Sequence, residues 1–151
     1  HIHVSRAGLG ENQTEQDLNI AKMMLMYDKF WDNIVTFSRR SSGQLDWACK
    51  PDADIKKEDT NARAIEKSKR NQWDHRRAVN LQHENTVEFR IFRGSLNPNT
   101  VKASIQFCKV MVDYVMSHNL AECQDAVWAD LIKSAYTELN EYLVERGLAT
   151  A

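Results

Sequence analysis

The segment Thr86-Val-Glu-Phe-Arg-Ile-Phe-Arg-Gly94 constrains what this chain can fold into more than any other stretch. Side chains of an extended strand alternate between its two faces, so Val87, Phe89 and Ile91 point one way while Thr86, Glu88, Arg90 and Phe92 point the other. The first set demands a core. The second carries a carboxylate and a guanidinium two positions apart, which leaves two readings. One is a surface ion pair worth about 0–1 kcal/mol. The other is a charged face standing in a cleft above a sheet. There a carboxylate supplies oxygen to Mg2+, and an arginine two residues on reaches a phosphate held by the same ion.

The neighbouring residues supply possible partners for this strand. Arg76 to Leu81 alternates moderately, and the short polar link His83-Glu84-Asn85 suits a hairpin, so the two strands are expected to pair antiparallel. Asn80 lies on the Arg76 and Ala78 face, where it either bonds a ligand or closes a turn. His1-Ile-His-Val-Ser5 also alternates, placing His1, His3 and Ser5 on one side. Two histidines at that spacing can converge on a metal, or they can be partly buried or tag-derived residues.

Helical periodicity fills most of the remainder. Ile20, Met24, Tyr27, Trp31 and Ile34, widened by Met23, Phe30 and Phe37, predict one helix over about 17–37, with Thr14 and Asp17 resembling a variant capping box. Arg39 and Arg40 follow, where they complement the helix dipole or bind an anion. Asn97-Pro98 marks the start of a helix over 98–117, with Val101, Ile105, Cys108, Val112 and Val115 as its buried stripe. Val127, Leu131, Ala135, Leu139 and Tyr142 predict another over 124–145, stopped at Gly147. Residues 41–75 read as a polar excursion, holding at most a short surface helix between Asp59 and Lys69. The expected fold is α+β: strands 1–5, 76–81 and 86–92 in one mainly antiparallel sheet covered by helices.

Composition narrows the function classes. With 20 Lys+Arg against 21 Asp+Glu over 151 residues, no overall field attracts nucleic acid or an anionic membrane. No apolar run reaches the roughly 20 residues that span a bilayer. Three cysteines without ligand spacing argue against a zinc module or a disulfide scaffold and favour a reducing compartment, with the cytoplasm as the default. No Gly-rich phosphate loop of the GxxxxGK[ST] kind is present, nor a nucleophile and base in a recognised hydrolase order.

His1-Ile-His-Val-Ser-Arg6, the helix ending Phe37-Ser-Arg-Arg40, Arg77-Ala-Val-Asn80 and the Thr86 to Gly94 strand occur in an order that resembles the amidoligase family. That family belongs to the wider glutamine synthetase-like group of carboxylate-amine ligases. The likeness covers most of residues 1–118, and its most specific part is Glu-Phe-Arg followed by Arg-Gly and a helix. It implies a glutamine synthetase-like catalytic half that joins a carboxylate to an amine through an acyl phosphate, using ATP and Mg2+. By motif position it implies His1 and Glu88 near metal, with Glu88 and Arg90 as the catalytic pair. His3, Arg90 and Arg93 fall near phosphate or substrate, and Arg40 and Asn80 are further nucleotide-binding candidates. Members carry additional acidic strands before the His-x-His motif. The chain is therefore expected to be the C-terminal part of one larger catalytic domain, completed by N-terminal sequence. Peptides or proteins are among the possible substrates, and homo-oligomers are possible. The competing reading is a noncatalytic binding or assembly module, or an inactive fragment that keeps a ligase-like sheet.

Overall fold

The computed structural model describes residues 1–70 and 74–151. It is a mixed α+β fold in which a small antiparallel sheet is covered by helices. Strands β1 (Ile2–Ser5), β2 (Val79–Asn80) and β3 (Thr86–Phe89) lie in the order β1-β3-β2, with β3 in the middle. The register pairs His3 with Glu88 on one side and Asn80 with Glu88 on the other. Since alternation is strict, Val87 and Phe89 are buried toward the helices, and Phe89 stacks on Tyr27 of helix α1 (Gln13–Lys29) with ring centroids 5.5 Å apart.

Two of the strands are shorter than their alternation predicts. β2 continues only through a hydrogen bond from Arg90 N–H to the Ala78 carbonyl, after which Arg77 pairs in parallel with Cys49. β3 stops at Phe89 because side chains take over its carbonyls. Arg40 donates to the Arg90 carbonyl (2.8 Å) and the Ile91 carbonyl (2.7 Å), and Arg39 to those of Arg93 and Gly94.

The first predicted helix is two: α1 and α2 (Trp31–Ser38), broken at Phe30, whose backbone (φ −104°, ψ 26°) leaves the helical region. α1 also begins earlier than Thr14 suggests. Asn12 is its cap and accepts from the Glu15 N–H, while the Glu15 carboxylate accepts from the Glu11 N–H. Helix α4 (Pro98–Ser117) starts under its Asn97 cap, and Cys108, Val112 and Val115 are buried as expected, but the first two members of the stripe are not. Val101 and Ile105 are 43% and 52% exposed, while Ala103, Phe107 and Met111 face the core. The last predicted helix divides into α5 (Leu120–Gln124), α6 (Trp128–Leu131) and α7 (Thr137–Glu145). Gly147, at φ 71°, ends α7 in the left-handed conformation, with Leu148 N–H reaching the Leu143 carbonyl.

Residues 41–75 are no excursion as far as the structure describes them; 71–73 lie outside the described residues. Ala48, Ala53 and Ile55 are buried, and helix α3 (Asn61–Ser68) packs on α1 with Ala64 inward. The segment between them is fastened by Asp28 of α1, whose carboxylate accepts from the Asp52 and Ala53 N–H groups, and by the nearly buried Lys67–Asp59 pair at 2.7 Å. Among the described residues no helix is long and apolar enough to cross a membrane.

Burial also sets thiol reactivity. Cys108 and Cys123 are enclosed, and burial pushes the Cys123 thiol up to about 11 and Cys108 higher still. Thiolate is the reactive form. Ellman's reagent at neutral pH is therefore expected to titrate Cys49 alone in the native protein and all three cysteines after unfolding. Rapid reaction of all three without denaturant would contradict this packing.

Candidate functional site

The polar face of the sheet gathers on one carboxylate. Glu88 sits in the central strand, 4% exposed, and both oxygens are used. Oε1 lies 2.8 Å from His1 Nδ1 and accepts from Arg90 Nη1 at 3.1 Å. Oε2 accepts from Asn80 Nδ2 at 2.8 Å and lies 3.0 Å from His83 Nε2. His3 stands beside it, its Nε2 3.9 Å from Oε1 and its Nδ1 2.9 Å from Thr86 Oγ1. Burial by itself would raise the Glu88 pKa. Hydrogen bonds from Asn80 and His83, with the charges of Arg90 and His3, outweigh it and hold the carboxyl below its ordinary range. Glu88 is thus an anion at neutral pH.

Each neighbour is fixed by a local cause. Asn80 spans two tasks: its amide N–H holds Glu88 while its Oδ1 accepts from the Gln82 N–H at 3.2 Å, curling the loop that follows β2. Arg6, leaving β1, fastens the same loop at both ends, with Nη2 to the Leu81 carbonyl (2.9 Å) and Nε to the Thr86 carbonyl (3.3 Å). The Arg6 N–H closes the arrangement on the Asn85 carbonyl. His83 is held in that loop, over Glu88.

Arg90 is largely buried, and its Nε has no acceptor among the described residues. A buried guanidinium N–H without a partner is uncommon, because it forfeits its hydration for nothing. Arg40 stands behind it. Burial lowers the Arg40 pKa, and the like charges of Arg90 and Arg93 lower it further, so three cations crowd the end of β3. Arg40 spends Nε and Nη2 on backbone carbonyls, whereas Arg93 is exposed.

The structure therefore brings His1, His3, Asn80, Glu88 and Arg90 together, with Arg40 supporting them and Arg93 at the margin. His83 was read from the sequence only as part of a polar link. No periodicity marks a loop residue, and the one local signal was an imidazole five positions before Glu88 in a connection too short to carry it far. The face is open. An apolar groove lies elsewhere, between α6 and α7, lined by Trp128, Ile132, Leu143, Val144 and Leu148.

Comparison with family models, with curated proteins and with solved structures finds no match to this chain.

Proposed function

We propose that this chain forms one wall of an ATP-dependent carboxylate-amine ligase site of the glutamine synthetase-like kind, making an amide through an acyl phosphate. One observation carries the reading: His1 and His3 from the first strand, and Asn80 and Arg90 from the hairpin, meet around the Glu88 carboxylate. Those are the positions that the motif likeness associates with metal and phosphate.

The donors suit the groups that such chemistry needs. An ionised carboxylate flanked by imidazoles fits a divalent cation, and a guanidinium beside that carboxylate suits an oxyanion bound to the same ion. When bound, ATP supplies the phosphoryl group that activates the carboxylate, and the cation offsets charge on its oxygens.

The chain's own groups would then divide the work. Glu88 stays negative at neutral pH and holds positive charge at the sheet surface. Asn80 fixes the carboxylate's orientation through one oxygen. Arg90 keeps Nη1 on Glu88 and presents its remaining donors in a planar fork that matches phosphate. Arg40 acts from behind, fixing the backbone from which Arg90 projects. Further ligands would come from strands laid beside the open edge of β1.

The test is ADP release by the complete enzyme, this chain together with the N-terminal sequence that the reading requires, with ATP, a divalent cation and a panel of carboxylate-amine pairs, the amide being identified by mass spectrometry. Release that needs both substrates and the cation is the expected result. Failure to bind ATP, together with no amide from any pair, would remove the reading.

A further inference from the structure

The geometry points to a site for a nitrogen-preferring divalent ion of the zinc class, held by His3, His83 and Glu88, in which the hairpin histidine is a ligand. This goes beyond the ligase reading, which assigns no role to His83 and names Mg2+, and it would stand if that reading fell.

The ligand atoms of these three residues all lie within 4.8 Å of one another. Zinc bonds imidazole nitrogen and carboxylate oxygen at about 2.0–2.2 Å, so tetrahedral ligands sit about 3.3 Å apart. His83 Nε2 and Glu88 Oε2 are already at 3.0 Å, and His3 Nε2 is 3.9 Å from Oε1. Closing the set takes side-chain movements of about an ångström, and both imidazoles are on the exposed side of the site, with their rings in edge contact at 4.9 Å between centroids.

Three features prepare the donors. Thr86 Oγ1 bonds His3 Nδ1, leaving Nε2 to face the carboxylate, the outer-sphere contact that orients metal-binding histidines. Asn80 and Arg90 hold Glu88 from two sides. Arg6 and Asn80 pin the loop that carries His83. As a ligand, His83 would offer the lone pair of Nε2 with its ring proton on Nδ1, and Glu88 would keep its charge. His1 keeps its contact with Oε1 or stands as a fourth donor.

The donor set decides the metal. Mg2+ prefers an octahedron of oxygens and retains its water, whereas imidazole suits Zn2+ and its late first-row neighbours. The experiment is calorimetric titration of the EDTA-treated protein, free of any affinity tag, with Zn2+ and with Mg2+ in the absence of nucleotide. Co2+ is added as a spectroscopic probe. The expected result is a single Zn2+ per chain, bound at least about a hundredfold more tightly than Mg2+, with Co2+ giving the intense visible bands of a low-coordinate site. His83→Ala is expected to weaken Zn2+ at least about tenfold and to lose those bands, while His118→Ala changes neither. Equal affinity in His83→Ala and the parent, or no preference for Zn2+ over Mg2+, would overturn the proposal. Zinc binding that depends on His83, with no ADP released by the complete enzyme, would retain this site and dismiss the ligase. ADP release with no zinc site would do the reverse.

Discussion

Glu88→Gln is expected to remove divalent-ion binding and, on the proposed ligase reading, to lower ADP release by more than about a hundredfold, since loss of a direct ligand exceeds the 10–100-fold typical of an outer-sphere partner. The substitution keeps shape and changes donors. Glu88 accepts on both oxygens, from Arg90 on one and Asn80 on the other, with a histidine beside each. Glutamine offers one oxygen and one NH2, so whichever way it turns, an N–H faces the Arg90 or the Asn80 N–H. One buried donor loses its acceptor, which costs about 1–3 kcal/mol. Arg90 also loses its counter-charge while remaining largely enclosed. Thermal melting should therefore fall modestly while ion binding disappears. Parent-like ADP release and zinc affinity in Glu88→Gln would show that the carboxylate only fastens the sheet.

Phe37→Ala is expected to cost about 3–5 kcal/mol, as for other buried phenylalanines. At this chain length that lowers the melting temperature by about 10 °C. Phe37 is fully enclosed, and its ring contacts those of Phe92, Phe107 and Tyr142, the last two at 4.7 and 4.8 Å between centroids. It also sits in the last turn of α2, whose carbonyls are held from α7: Tyr142 Oη donates to the Phe37 carbonyl and Arg146 to that of Thr36. Because Arg39 and Arg40 follow directly, the same change should loosen the end of β3 and with it Arg90. Val101→Ala provides the contrast, at about 0.5 kcal/mol or less for an exposed position. A calorimetric melting comparison settles the matter, and similar losses for the two variants would show that the buried face of α4 has been misassigned.

These contrasts show what the sequence disclosed. The shared face of Glu88 and Arg90, and that of His1 and His3, follow from strand alternation, which has an exact period and needs no partner to be read. The register that sets His3 and Asn80 on either side of Glu88 was not legible, because nothing local fixes how distant strands slide. His83 is hidden for a related reason: its loop is held by Arg6, whose bonds to the Leu81 and Thr86 carbonyls reach across from β1 over more than seventy residues of sequence. The break at Phe30 leaves no mark in the pattern because the apolar stripe runs straight through it. In α4 the pattern finds Cys108, Val112 and Val115 but not the exposure of Val101 and Ile105, which are as apolar as the residues that are buried. Residues 41–70 looked solvated because small alanines, an aspartate capping backbone N–H groups and an enclosed ion pair anchor them; hydropathy does not register such anchors.

Arg39 and Arg40 occupy the carbonyls beyond Phe89 that would otherwise accept from another strand. A buried carbonyl left without a donor is costly. Here guanidinium groups satisfy the acceptors just past the last ladder residue of the central strand, so the sheet can end without a further strand. The two arginines thus terminate the ladder as well as support Arg90.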